Sequence, residues 1–226
     1  MTKSLQSRKR QLVRDAIYDA AIELFAKKGF DETTVEEVAD AAGISRRSFF
    51  RYFESKDDLL AVNTMICGEV VRGAVASCPA GLGLLDVVRE GALAGGMFTE
   101  NQEHTRQIID IAQRSSSARQ AHQSRLMEVE QKLTTAFASR LKSTSQYSLK
   151  PYLLSAMTMA VLNGATVSWY MKEHKELSKA VRQALLTLTN VFCDESAVPA
   201  VPDAGSNRNA SSSIAPKKAR NIGKKN

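Results

Sequence analysis

The stretch "GISRRSFFRYFESK", residues 43–56, crowds arginines and aromatic rings onto one short segment, and its reading decides the fold. Ile44, Phe49 and Phe53 fall at core spacing for a helix, with Phe49 and Phe53 one turn apart. Arg46, Arg47, Ser48, Phe50, Arg51 and Tyr52 then occupy the rest of the helix surface. Such an element is clamped by its rings on one side and offers guanidinium groups to a polyanion on the other.

The flanking residues frame this segment as half of a corner. Upstream, "TVEEVADAAG" (34–43) opens with Thr34 and Glu37 in capping-box spacing. Val35, Val38, Ala39 and Ala42 form an apolar face, and Gly43 supplies the positive φ that ends a short helix. Ser45 is the N-cap of the next helix, expected to run to Tyr52 or Phe53. Ser55, with Asp58 three residues on, opens a helix expected to end near Ser77, before Cys78-Pro79. Two short capped helices joined by "AAGIS" are a helix-turn-helix candidate. Before them, Val13, Ile17, Ala20, Ala21, Leu24 and Phe25 recur on one face of a helix over 12–28, which Gly29 stops after two lysines.

Periodicity predicts further helices near 82–97, 102–114, 117–142, 148–173 and 176–194. Without a credible strand or repeat, the expectation is an all-α chain of about nine helices. The expected division is a basic arm and helix-turn-helix unit at 1–56, a helical bundle at 57–195, and a disordered basic tail at 196–226. The chain has 226 residues, a formal net charge of +7 and 43% apolar content. Its charge sits at the ends. Residues 1–14 carry Lys3, Arg8, Lys9, Arg10 and Arg14 with no acid, and the tail carries six basic residues against Asp203. The arm could reach a minor groove or the DNA backbone, or be a solvated leader. The tail could raise nonspecific DNA affinity, or only aid solubility.

Cys67, Cys78 and Cys193 have no metal-ligand spacing, and unframed thiols fit a reducing compartment. No apolar run resembles a membrane span or a signal core, so the expectation is a cytoplasmic protein without a membrane partner. No nucleophile–base pair or phosphate loop argues for an enzyme, and no cofactor is expected.

"TVEEVADAAGISRRSFFRYFESKDDLL" resembles the DNA-binding segment of TetR-family transcriptional regulators over about residues 10–60. The shared pattern is a Thr-led helix, Ala-x-x-Ala-Gly-Ile-Ser, an aromatic-rich recognition helix, then Phe-x-Ser-Lys-x-x-Leu. The resemblance implies that Thr34, Tyr52 and Lys56 contact phosphate. It implies that Ser45, Arg46, Arg47 and Ser48 read base edges beside Phe50 and Arg51. Phe50 departs from the tyrosine usual there, and Glu36 lies on the DNA-proximal turn where a basic residue would be more comfortable.

The same resemblance implies an effector cavity and a homodimer. The expected cavity residues are Met65, Met97, Phe98, His104, Ile108, Met127, Asn163 and Trp169, although methionines at helical spacing also serve as core filler. A small-residue stripe, Ala156, Ala160 and Gly164, and an apolar face, Leu185, Leu188 and Phe192, are the expected dimer surfaces, or else pack within the monomer. The function implied is a repressor released from palindromic operator DNA by a small lipophilic effector, acyl-CoA-like by subgroup resemblance. Alternatives are an all-α enzyme with a vestigial helix-turn-helix and an effector-independent DNA-binding protein.

Overall fold

The computed structural model describes residues 5–100, 104–143 and 148–193, without the side chains of 191–193. The predicted disordered tail at 196–226 therefore lies outside the described residues. Among those described, the chain is all-α, with no strand. The helices are α1 (Leu5–Lys28), α2 (Val35–Ala41), α3 (Arg46–Phe49), α4 (Asp57–Ser77), α5 (Leu84–Glu100), α6 (Thr105–Arg114), α7 (Ser116–Arg140), α8 (Leu149–Tyr170) and α9 (Leu177–Cys193).

Two of these bounds depart from expectation for local reasons. α1 begins at Leu5 and not near residue 12, so residues 5–14 of the basic arm are helical. "LQSRKRQ" holds no breaker and is rich in good helix formers, which lets the helix run outward past its buried face. α3 stops at Phe49 instead of Tyr52 or Phe53. Beyond it the chain tightens, with Arg51 N–H donating to Ser48 O at 3.1 Å and Tyr52 N–H to Phe49 O at 2.8 Å. Such i→i−3 bonds often close a last turn.

The apolar side chains settle into two cores. The first gathers Ile17, Tyr18, Ala21, Ile22 and Phe25 of α1, Val38 and Ala39 of α2, Phe49, Phe53, and Leu59 and Leu60 at the start of α4. Ile108 and Ile111 of α6 and Ala118 of α7 complete it, so the bundle supplies part of the wall of the N-terminal unit. The second core joins Val71 and Val75 of α4 to α5, α7, α8 and α9. α4 thus has its first turn in one core and its last turns in the other, which makes it the beam between them.

α4 is also long and apolar enough, by length and composition, to cross a membrane, contrary to expectation. Its place in the fold is inside the bundle, between α5 and α7, with Glu69 and Arg72 paired at 2.7 Å on its outer side. The helices approach closely where glycine allows it. A Cβ on Gly95 would lie 2.7 Å from Val71 Cγ2, and one on Gly68 2.7 Å from Val129. These two glycines are therefore close-packing points.

Candidate nucleic-acid interface and effector cavity

The helix-turn-helix is assembled by short-range rules. Glu37 N–H donates to Thr34 Oγ1 at 3.2 Å while Thr34 N–H donates to Glu37 Oε2 at 2.9 Å, closing the capping box. Lys28 at the end of α1 reaches the other oxygen of Glu37 at 2.5 Å. That ammonium, then the Thr34 amide, pull the Glu37 carboxyl down to about 2. Gly43 takes φ +66, and Ile44 N–H returns to Ala39 O at 3.0 Å to finish the turn. Ser45 caps α3 by accepting from Ser48 N–H at 3.2 Å.

On the recognition segment the two faces separate as the sequence suggests. Phe49 is 0% exposed and Phe53 4%, with ring centroids 5.8 Å apart in the first core. Burying a phenylalanine stabilises by about 1.5–3 kcal/mol, so these rings fix the segment's rotation. Arg46, Arg47 and Arg51 are exposed, and Phe50 is 47% exposed beneath the Arg46 guanidinium, 5.5 Å from its ring centre. Arg46 Nε is also held by Glu36 at 2.8 Å. Arg51 donates to Ser48 Oγ at 3.2 Å and lies 6.0 Å from the Tyr52 ring centre. Arg47 has no hydrogen bond or ion pair among the described residues. Thr34 and Ser45 are exposed at their helix starts, and Tyr52 and Ser48 are half-buried.

Lys56 is placed differently from the phosphate contact that the resemblance implied. Its Nζ donates to Phe30 O at 2.8 Å, Thr33 O at 3.2 Å and Asp31 O at 3.3 Å. The ammonium also sits 4.5 Å from the Phe30 ring centre. All three of its protons are thus spent on the α1–α2 loop, and the residue staples α4 to that loop.

Further polar ties join the reading unit to the bundle. Arg125 of α7 pairs with Asp58 at 2.5 Å, Ser117 of α7 donates to Asp31, and His104 meets Asp19 of α1 at 3.1 Å.

Above this junction lies a cavity of about 110 Å3 between α4, α5, α6, α7 and α8. Three of the eight expected residues line it: Phe98, Ile108 and Asn163, the last exposed at its rim. The other five are elsewhere. His104 stacks edge-on against Tyr18 at 5.4 Å, in the junction just described. Trp169 is buried under the Arg106 guanidinium, 3.8 Å from its ring centre. Met97 and Met127 point outward, 59% and 71% exposed, and Met65 borders a separate groove beside Arg14 and Tyr52. The lining that sequence reasoning missed includes polar side chains, among them Asn63 and Thr64 of α4 and His122 of α7, and the Cys67 thiol. Thr64 Oγ1 and His122 Nδ1 are 3.4 Å apart, and burial pushes the imidazole below its ordinary range. His122 sits in the charged run "ARQAHQSR", where nothing in the periodicity marks it as internal.

The expected dimer surfaces divide. On α8, Ala160 and Gly164 are exposed and Ala156 is half-buried, alongside exposed Tyr152, Val167 and Met171. On α9, Leu185 and Leu188 pack against the second core of the monomer itself, and the outward leucine is Leu186. The Phe192 side chain lies outside the described residues.

A bundle joined to a capped helix-turn-helix that aims arginines outward defines a DNA-binding transcriptional regulator. Residues 17–62 match the family model for bacterial regulatory proteins of the tetR family. A relative along nearly the whole length is the HTH-type transcriptional regulator TcmR of Streptomyces glaucescens, 27% identical over 84% of this chain and 89% of that one. Among solved structures, NalD, the secondary repressor of the MexAB-OprM multidrug efflux pump in Pseudomonas aeruginosa, superposes with TM-score 0.57. It is 21% identical over 80% of this chain and 96% of its own. SmeT, solved in complex with triclosan, gives 0.55 at 18% identity over 85% of this chain and 100% of its own. Both likenesses establish the fold.

Proposed function

We propose that this protein is a cytoplasmic, dimeric repressor that leaves a two-fold symmetric operator when a small lipophilic effector enters the bundle cavity. Residues 1–56 form the reading unit and 57–195 the sensing and dimerising unit. The observation that carries the reading is the split of the recognition segment, with Phe49 and Phe53 buried and Arg46, Arg47 and Arg51 outward. Arginine at that position grips guanine O6 and N7 with two bonds, with Ser45 beside it at the base edges, whereas Thr34, at the start of α2, contacts phosphate. Tyr52, Ser48 and Phe50 border the same surface.

The exposed small-residue stripe of α8 supports pairing with a second copy, because it lets two helices approach closely. The cavity supports effector control, because Asn63 and Thr64 in its wall belong to the helix that carries Leu59 and Leu60 of the reading unit. An effector weakens DNA binding only by preferring the α4 position that separates the two heads wrongly. SmeT, solved with triclosan, and NalD, a secondary repressor, lend support by likeness of fold. The test is genomic footprinting with the purified protein. Two protected half-sites spaced by a whole number of helical turns are expected, and a single unsymmetric footprint would contradict the dimeric reading.

A further inference from the structure

The effector cavity has no charged wall. Its lining contains no Asp, Glu, Lys or Arg among the described residues. The basic side chains nearest in the bundle are engaged elsewhere, Arg106 over Trp169 and Arg125 with Asp58 and Glu128. The titratable groups present stay neutral. Burial lowers the affinity of His122 for a proton and raises the pKa of the Cys67 thiol.

The wall is also graded along its length. α4 and α7 run side by side in the same direction, as Thr64 meets His122, Gly68 meets Val129, and Arg140 reaches Cys78 O. The end next to the reading unit therefore carries Asn63, Thr64 and His122, and the far end carries Val71, Val129 and Met159. A buried ion without a counter-ion is strongly disfavoured, whereas neutral polar groups are satisfied by hydrogen bonds.

From this, and resting on the effector reading above, we infer that the part of the effector enclosed by this cavity is an uncharged alkyl or acyl chain. Its neutral polar head (amide, ester, thioester or alcohol) is directed toward Asn63, Thr64 and His122. A free neutral lipid and the acyl end of a thioester share that chemistry. The second would keep any phosphates outside, past the exposed Asn163 rim.

The test is calorimetric titration of the full chain with octanamide, octanoate and octylammonium. Octanamide is expected to bind, with both ions at least about tenfold weaker. Thr166→Trp, which fills the cavity, should abolish binding, and Leu126→Lys should turn the preference toward octanoate. Octanoyl-coenzyme A separates the two sources. Tighter binding than octanamide, lost in Thr166→Trp, assigns the thioester, and weaker binding assigns a free neutral lipid. An ion bound as tightly as octanamide in the unmodified protein, or no octanamide binding at all, overturns the inference. Operator release distinguishes the two layers. Octanamide that binds without loosening DNA keeps the ligand class and removes the effector reading, while octanoate that releases DNA through this cavity does the reverse.

Discussion

The Glu36 carboxylate holds Arg46 across the helix-turn-helix, Oε1 to Nε at 2.8 Å, joining the first helix of the motif to the start of the second. The pair is exposed, so its contribution to stability is at most about 1 kcal/mol. Its consequence is orientation. With Nε engaged, the two terminal nitrogens of Arg46 stay available as a fork, steadied by the Phe50 ring below. An acid that looks out of place beside DNA becomes a brace for the arginine that we propose reads it.

Glu36→Gln should therefore lower discrimination more than affinity. It removes a repelling charge, which favours all duplexes, and loosens Arg46, which weakens the operator alone. Arg46→Ala should cost about 1–3 kcal/mol of preference at one base pair. Dissociation constants on operator and scrambled duplexes at one fixed salt concentration check both. An unchanged ratio in Arg46→Ala would remove Arg46 from base reading.

Lys56→Met should damage the fold before it damages DNA contacts. The side chain leaves three loop carbonyls without their donor, at a cost of about 1–3 kcal/mol for a hydrogen-bonded charge. Urea unfolding should show that loss in the free protein. Full stability with weakened binding to every duplex would instead return Lys56 to the phosphate-contact role.

Tyr18 and Phe49 make a contrasting pair in the first core. The Tyr18 hydroxyl is buried beside Asn63 but makes no hydrogen bond of good geometry among the described residues, and burial, then Asp19, raises its pKa so that it stays protonated. Removing an unsatisfied hydroxyl relieves a desolvation cost of about 1–3 kcal/mol, so Tyr18→Phe should be neutral or stabilising. Phe49→Ala should lose about 3–5 kcal/mol and DNA binding with it. Thermal unfolding of both variants checks the pair.

Acid should act through Glu37 and His122 in successive windows. His122 has a folded pKa below its ordinary 6.5, so the unfolded chain takes the proton first. Its neutral-state contribution is complete above that value and falls as pH drops below it. Glu37 has a folded pKa of about 2 against an ordinary 4.5, so its contribution is present above 4.5 and lost toward 2. His122→Gln should flatten the first window and Glu37→Gln the second, read by denaturant midpoints across pH. A stability profile unchanged by either substitution would contradict the assignment.

Much of the reading unit was legible because its rules are local. Thr34 and Glu37 cap within one turn, Gly43 needs a positive φ, Ser45 caps its own helix, and Phe49 and Phe53 share a face whatever lies beyond. The end of the recognition helix was not legible, since tightening after Phe49 depends on how the chain enters α4. The carbonyl contacts of Lys56 were not legible for a similar reason, because those partners lie more than twenty residues upstream in the α1–α2 loop. The cavity was the least legible part. Five helices contribute to it, and Asn63, Thr64 and His122 look like surface residues until the glycines of α4 and α5 set how closely those helices pack. Met97 and Met127 illustrate the reverse, apolar side chains at helical spacing that end up outside.

The most direct test of the central claim is the affinity of Arg47→Ala, beside the unmodified protein, for operator and scrambled duplexes over a series of salt concentrations. Arg47 is the exposed recognition-helix arginine that nothing in the described fold employs. The expected result is a stable variant whose operator preference falls by about 1–3 kcal/mol. An unmodified protein that ignores duplex DNA at low ionic strength, or a variant that discriminates as well as its parent, would contradict the assignment of this face to DNA.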